Sequence, residues 1–165
     1  MPRTVTLAPA VVALCLAAAG CGSQTDQTPP RPVAVEQFKP DLARADPRLK
    51  RIYVQASTLL TGGRGAYDKR IAELRGLPIV VNKWGSWCGP CRAEFPLFQQ
   101  AAKANGGKIA FLGVNVSDGR GAAREFLRAR PLPYPSYVDD RLLISQLLPP
   151  VAGAPSTGFY DATGK

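Results

Sequence analysis

The chain contains no histidine, and only two of its four cysteines lie beyond residue 21. The absence of histidine excludes His-assisted nucleophiles, the c-type haem attachment motif and zinc sites that use imidazole ligands. The remaining cysteines, Cys88 and Cys91, cannot alone supply the four ligands of a structural zinc site. We therefore predict that the protein uses neither a metal ion nor a cofactor.

Acidic residues are few relative to basic ones, with 12 Asp and Glu against 21 Lys and Arg and a formal net charge of +9. A positive surface can attract nucleic acid or anionic membranes. The basic residues are scattered, however, and no run of them exceeds two. We predict a solvated basic surface and no nucleic-acid partner, with weak attraction to anionic lipid as the alternative.

No apolar run is long enough to span a bilayer, which needs about 20 residues. The run over residues 11–19 follows Arg3 and ends in small residues, which is typical of a secretory signal peptide. The four residues that end at Cys21 resemble the lipobox of bacterial lipoproteins, with Ala18 in place of the usual leucine. The resemblance implies a lipoprotein signal peptide over residues 1–20 and a lipidated Cys21. Ordinary secretion with an incidental Cys21 is the alternative.

Residues 22–32 are rich in Gly, Ser, Gln, Thr and Pro and show no hydrophobic periodicity. Such a composition buries too little apolar surface to fold by itself. We therefore predict a flexible, lipid-anchored tether over residues 21–40 and a folded domain over residues 41–165. The tether would hold the domain at the outer face of the cytoplasmic membrane, in the cell envelope.

Strands alternate with helices along the folded part. Asp46 followed by Pro47 predicts a helix start, and apolar residues at spacings of three and four extend that helix to Leu60. A predicted buried strand at residues 79–81 is followed by a helix at 91–103, and a second predicted buried strand at 109–114 is followed by a helix at 122–130. The remaining predictions are a helix over 67–74, extended chain over 134–138, a short helix over 142–148 and a strand over 157–160. This order predicts an α/β fold with at least two parallel strands.

Cys88 and Cys91 lie where a predicted strand meets a predicted helix. If Cys88 caps that helix, free backbone N–H groups and the positive end of the helix dipole stabilise its thiolate. Gly89 permits a tight turn, and Pro90 costs no hydrogen bond in the first helical turn. Cys91 lies about one turn further on, close enough to resolve a mixed disulfide formed at Cys88. We predict a redox-active dithiol, because a structural bridge closing so short a loop stabilises little.

The motif Trp87-Cys88-Gly89-Pro90-Cys91 is identical to the thioredoxin signature. The flanking residues, including Cys-Arg-x-Glu-Phe-Pro, more closely resemble the TlpA/ResA-like family of membrane-anchored thiol–disulfide oxidoreductases. The resemblance runs from about residue 75 to residue 165. It implies a thioredoxin-like fold with a central mixed sheet flanked by helices. Members of that family continue through one more strand and a final helix, so we predict that this chain lacks both.

The same resemblance implies roles for three further residues. Trp87 would cover the reactive sulfur, and Glu94 would exchange a proton with Cys91. Pro155 matches the family's cis-proline, which lies across from the dithiol and lets the preceding backbone pair with substrate. The alternatives are core packing for Trp87, a solvated carboxylate for Glu94 and an ordinary loop proline for Pro155.

Two positions depart from the thioredoxin pattern. Asn82 replaces a buried aspartate that carries a proton in thioredoxins, and Lys83 follows where an aromatic residue is common. We expect Lys83 to pair with an acidic group, such as Glu94, and to hold negative charge near the sulfurs. The alternative is that its side chain extends to the surface.

The resemblance implies an exported thiol–disulfide oxidoreductase that reduces exported proteins such as apocytochrome c, supplied by a membrane electron donor. Gly-Pro between the cysteines favours a reducing poise by analogy with thioredoxin, at about −270 mV. One alternative is an oxidase that introduces disulfides. Another is a binding lipoprotein whose thioredoxin-like domain is not catalytic.

Overall fold

The computed structural model describes residue 1, residues 34–150 and residues 153–164. A five-stranded sheet lies between helices in this part of the chain, which confirms the predicted α/β class and mixed sheet. The helices are α1 (Pro47–Tyr53), α2 (Gly63–Glu73), α3 (Gly89–Asn105) and α4 (Arg120–Ala129). The strands are β1 (Leu59–Leu60), β2 (Ile79–Trp84), β3 (Ala110–Val116), β4 (Ser136–Asp139) and β5 (Ser156–Tyr160).

The strand order is β1-β4-β3-β2-β5, so that β2 and β3 are central. Strands β1, β4, β3 and β2 run parallel, and β5 pairs antiparallel with β2. Parallel neighbours require crossover connections, and α3 and α4 provide them between β2 and β3 and between β3 and β4. This topology places the start of α3 directly beyond the carboxyl end of β2.

The two faces of the sheet carry different helices. On one face, the Trp84 ring packs against Phe95 of α3 and Phe126 of α4, with centroids 5.3 and 5.5 Å apart. On the other face, Tyr67 of α2 lies edge-on to Tyr137, with ring centroids 5.5 Å apart. Because side chains alternate along a strand, Asn82 shares the face of Trp84, and Lys83 lies on the opposite one.

The first helix is shorter than the sequence predicts. It ends at Tyr53, and Leu59 and Leu60 form β1 beside β4, so the prediction of one helix to Leu60 is wrong. Ser57 has a positive φ of 55°, and its backbone N–H donates to the Leu132 carbonyl at 2.9 Å. Contacts with distant chain therefore outweigh the helical spacing of the apolar residues.

Other boundaries differ less. The short helix predicted over residues 142–148 is a single 3₁₀ turn, Ser145–Leu147. A second 3₁₀ turn, Val35–Phe38, lies within the segment predicted to be tether. Residues 2–33, which hold almost all of the predicted signal peptide, Cys21 and the first part of the predicted tether, lie outside the described residues. None of the described helices combines the length and the apolar composition that a membrane span requires.

Candidate active site

Helix α3 begins at Gly89, and Cys88 is its N-cap residue. The backbone of Cys88 is extended, and the N–H of Cys91 donates to the Cys88 sulfur at 3.1 Å. Pro90 occupies the first turn, where no backbone donor is needed. The prediction that Cys88 caps this helix is confirmed. The same N–H group is positioned to stabilise a thiolate at Cys88 when the protein is reduced.

Cys88 and Cys91 are joined by a disulfide, and their Cα atoms are 5.3 Å apart. Both side chains are buried, with 2% and 1% of their surface exposed. The structure therefore represents the oxidised form of the pair.

The loop that enters the site is fixed by hydrogen bonds that sequence reasoning missed. The backbone N–H and the hydroxyl of Ser86 donate to the Asp118 carboxylate at 2.6 and 2.7 Å. Asn115 donates to the same carboxylate at 2.9 Å, and Arg92 donates to the Ser86 carbonyl at 2.9 Å. A usable signal existed, because Ser86 and Asp118 each follow a parallel strand by two residues, and such strand ends meet at one edge of the sheet.

Trp87 lies at the surface and not in the core. Half of its side chain is exposed, at 51%, and its indole N–H donates to the Val116 carbonyl at 3.2 Å. The ring rests on Gly85, where an added Cβ would lie 2.5 Å from the indole nitrogen. Core packing, the alternative interpretation of Trp87, is therefore wrong.

Pro155 follows a cis peptide bond from Ala154, as the sequence resemblance predicts. It directly precedes β5, whose first residue, Ser156, pairs with Lys83 of β2. The antiparallel register thus brings Pro155 to the carboxyl end of β2, at the same edge of the sheet as the dithiol.

Asn82 is buried between the central strands and α3, with 1% of its surface exposed. It lies opposite Gly113 of β3 and Thr157 of β5. Neither atom of its side-chain amide makes a hydrogen bond within the described part of the chain. A buried amide without partners destabilises a fold, so Asn82 is an energetically unfavourable feature beneath the site.

Lys83 and Glu94 do not form the expected pair. Lys83 is buried, at 4% exposed, on the face away from α3, whereas the half-buried Glu94 lines an apolar cavity between α3 and β5. The acidic group that acts on Lys83 is Asp139. Burial lowers the pKa of Lys83, and the negative charge of Asp139 partly offsets that effect. The alternative that Lys83 extends to the surface is also wrong.

No group of three or more His, Cys, Asp or Glu side chains converges to hold a metal ion in the residues that the structure describes. The site therefore consists of a buried dithiol at a helix N-terminus, an exposed indole, a cis-proline and a hydrogen-bonded entry loop. Such an arrangement is suited to exchange between thiols and disulfides, with the helix end stabilising the sulfur anion.

Known proteins that are similar to this chain include enzymes of thiol–disulfide exchange. The thiol:disulfide interchange protein DsbE of Pseudomonas fluorescens biotype C is 37% identical over 93 residues, which are 56% of this chain and 51% of that protein. The thiol-disulfide oxidoreductase ResA of Bacillus subtilis (strain 168) is 28% identical over 97 residues, 58% of this chain and 53% of that protein. The chain thus spans about half the length of these relatives.

Among solved structures, a secreted Mycobacterium tuberculosis disulfide oxidoreductase homologous to E. coli DsbE is 31% identical, with a TM-score of 0.50. The match covers 57% of this chain and 69% of that one. These likenesses confirm the predicted thioredoxin-like fold. A sequence model described as the AhpC/TSA family matches residues 57–165. The chain therefore belongs to the AhpC/TSA family, within the thioredoxin superfamily.

Proposed function

We propose that the protein is an exported thiol–disulfide oxidoreductase that acts through Cys88 and Cys91. The observation that carries this proposal is the hydrogen bond from the Cys91 N–H to the Cys88 sulfur at the N-terminus of α3. A thiolate is the nucleophile in disulfide exchange, and this position favours the thiolate over the thiol. The relatives named as disulfide interchange proteins and oxidoreductases support the same activity.

The reaction proceeds through two exchanges. The reduced Cys88 thiolate attacks one sulfur of a substrate disulfide, whose S–S bond breaks as the other sulfur leaves as a thiolate. Cys91, once deprotonated, then attacks the Cys88 sulfur and releases the second substrate thiolate. The substrate gains two electrons and its thiolates take up protons from water, while the protein is left with the Cys88–Cys91 disulfide. In the reverse direction, the protein oxidises a substrate dithiol.

Three neighbours are assigned supporting roles. Glu94 lies one turn after Cys91 on α3 and is half-buried, which suits it to accept the Cys91 proton. Trp87 presents an exposed ring beside the dithiol. The segment that ends at Pro155 offers backbone groups to an extended substrate at the same edge of the sheet.

The direction we propose is reduction of disulfides in exported proteins, including apocytochrome c with its paired cysteines. Electrons would come from a membrane donor, and lipidation at Cys21 would hold the domain at the outer face of the cytoplasmic membrane. The Gly-Pro pair between the cysteines supports the reducing direction by analogy with thioredoxin. A disulfide-forming oxidase is the second candidate, because the same dithiol supports both directions.

Insulin reduction tests the activity. The full chain should reduce insulin in the presence of a thiol donor, and Cys88→Ser should abolish this reduction. Cys21→Ser makes the same chemical change outside the described domain and should leave the rate unchanged. Cys91→Ser should accumulate a mixed disulfide at Cys88. Equal reduction by the wild type and Cys88→Ser would instead favour a non-catalytic binding lipoprotein.

The midpoint potential of the Cys88–Cys91 pair decides the direction. A value near that of thioredoxin, about −270 mV, supports a reductase. A value near that of the strong oxidant DsbA, about −120 mV, supports the oxidase.

A further inference from the structure

A cavity of about 440 Å³ opens beside Trp87 at the carboxyl end of the sheet. Its apolar walls are Trp87, Val116 and Leu142. Gly153, on its rim, faces the Trp87 ring, because a Cβ added there would lie 3.9 Å from it. A volume of this size accommodates an amino-acid side chain. Trp87, one wall of this cavity, directly precedes Cys88 in the chain.

Lys83 forms part of the cavity wall although only 4% of its surface is exposed. It lies on the same face of the sheet as Val116 and Asp139, near the ends of three neighbouring strands. A lysine in a strand usually extends its ammonium group into water. Here the cation is held inside, where its charge costs free energy unless negative groups compensate it.

The negative charge of Asp139 acts on Lys83, and the Asp139 carboxylate also binds neighbouring groups. It accepts hydrogen bonds from the backbone N–H groups of Ile144 at 3.1 Å and Ser145 at 2.8 Å, and from the Ser145 hydroxyl at 2.7 Å. Burial outweighs the attraction of Asp139, so the pKa of Lys83 lies below its ordinary value. A further anion beside Lys83 would stabilise its charged form.

We propose that this cavity is a substrate subsite for a glutamate side chain adjacent to the cysteine that Cys88 attacks. The apolar walls contact the methylene groups of that side chain, and its carboxylate reaches Lys83. The exposed Ser117 and Gln146 supply polar groups at the mouth. A basic side chain is rejected at this position because two like charges would be buried together. The inference rests on the proposed function, since the substrate must be bound at Cys88.

Peptide mixed disulfides test the subsite. The reduced full chain is reacted with peptides whose single cysteine carries a 2-nitro-5-thiobenzoate group, with Glu, Gln or Lys beside that cysteine. The released thiol is followed by absorbance, and each rate is divided by the rate with dithiothreitol to remove differences in intrinsic reactivity. We expect the wild type to react with the Glu peptide about fivefold or more faster than with the Gln peptide. A partly buried charge pair stabilises a complex by enough to give such a ratio.

Three variants and two controls test whether Lys83 causes the preference. The Glu/Gln rate ratio should fall to about one in Lys83→Met and persist in Lys83→Arg. Gln146→Glu, at an exposed position on the rim, should also lower the ratio because it places an anion of the protein near Lys83. Lys103→Met, an exposed lysine on α3, should keep the wild-type ratio. A peptide with Glu at its far end, away from the cysteine, measures the general attraction of the basic surface. It should react no faster than the same peptide with Gln at that far position.

Failure of the subsite and failure of the proposed function give different results. A wild-type ratio near one, or a ratio unchanged in both Lys83→Met and Gln146→Glu, overturns the subsite while cleavage stays fast. Cleavage of every peptide no faster than by Cys88→Ser overturns the proposed function and the subsite together.

Discussion

Ser86 and Asp118 are joined by two short hydrogen bonds, one from the Ser86 backbone N–H at 2.6 Å and one from its hydroxyl at 2.7 Å. Ser86 lies two residues before Cys88, and Asp118 lies in the loop after β3. The carboxylate therefore fixes the backbone of the loop that leads into the dithiol. Arg92 holds the same loop from α3 through the Ser86 carbonyl. Cys88 is thus positioned by the loop after β3 as well as by its own helix.

Asp118→Ala should destabilise the oxidised protein by about 1–3 kcal/mol, because it leaves the Ser86 N–H and the Asn115 amide without their acceptor. Urea unfolding followed by circular dichroism measures the change. Asp140→Ala is the matched control, since its carboxylate is exposed and 3.7 Å from Arg120. The control should change stability by less than about 1 kcal/mol. Equal effects of the two substitutions would contradict a structural role for Asp118.

Asn82→Leu should increase the free energy of unfolding by about 1–2 kcal/mol, because it removes a buried amide that has no hydrogen bond in the described structure. Asn115→Leu makes the same change in the neighbouring strand β3, where the amide donates to Asp118 at 2.9 Å. That variant should be less stable than the wild type. In urea unfolding, we therefore expect a higher midpoint for Asn82→Leu and a lower midpoint for Asn115→Leu than for the wild type. Destabilisation by both would show that Asn82 has a stabilising partner.

Gly113→Ala should destabilise the sheet by about 1–3 kcal/mol through overpacking. A Cβ at this position of β3 would overlap the Ser136 hydroxyl, which accepts the hydrogen bond of the Trp84 indole. Gly121→Ala, in the first turn of α4, meets no atom within 4 Å and should stabilise by up to about 1 kcal/mol. The unfolding temperature should therefore fall in Gly113→Ala and not in Gly121→Ala. An unchanged unfolding temperature in Gly113→Ala would contradict the close packing of Trp84 and Ser136.

Acid should weaken the first helix through Asp46. A side-chain hydrogen bond from Arg48, followed by one from the Arg48 backbone N–H, lowers the pKa of Asp46 to about 2. Because the folded pKa lies below the ordinary value of 3.8, the charged form stabilises the fold above pH 3.8. This contribution is lost as the pH falls from 3.8 through about 2.

Asp46→Asn keeps an acceptor at the N-cap and removes this titration. Its stability should therefore fall less steeply than that of the wild type when unfolding is measured between pH 6 and pH 2. Asp41→Asn changes an exposed carboxylate in the preceding loop and serves as the control. Parallel pH profiles for the wild type and Asp46→Asn would show that the Arg48 contact does not act on Asp46 in solution.

Local sequence patterns were sufficient to predict the central strands and the capping position of Cys88, and the family resemblance predicted the cis-proline at Pro155. The strands depend on short apolar runs, and the cap depends on the chemistry of a helix start. Leu59 and Leu60 were predicted wrongly because their helical spacing is overridden by pairing with β4. The effect of Asp139 on Lys83 was missed because the order of the strands, and not the distance along the chain, brings the two residues near each other.

The pH dependence of Cys88 alkylation in the reduced full chain tests the proposed chemistry most directly. Iodoacetamide should react with Cys88 much faster than with Cys91, because only Cys88 lies at the N-cap that stabilises a thiolate, and peptide mass mapping can show which cysteine is modified. The rate should rise with a midpoint below the ordinary thiol pKa of about 8.5, because the end of α3 stabilises the thiolate. Equal reaction at both cysteines, or a midpoint at or above about 8.5, would contradict an activated nucleophile at Cys88.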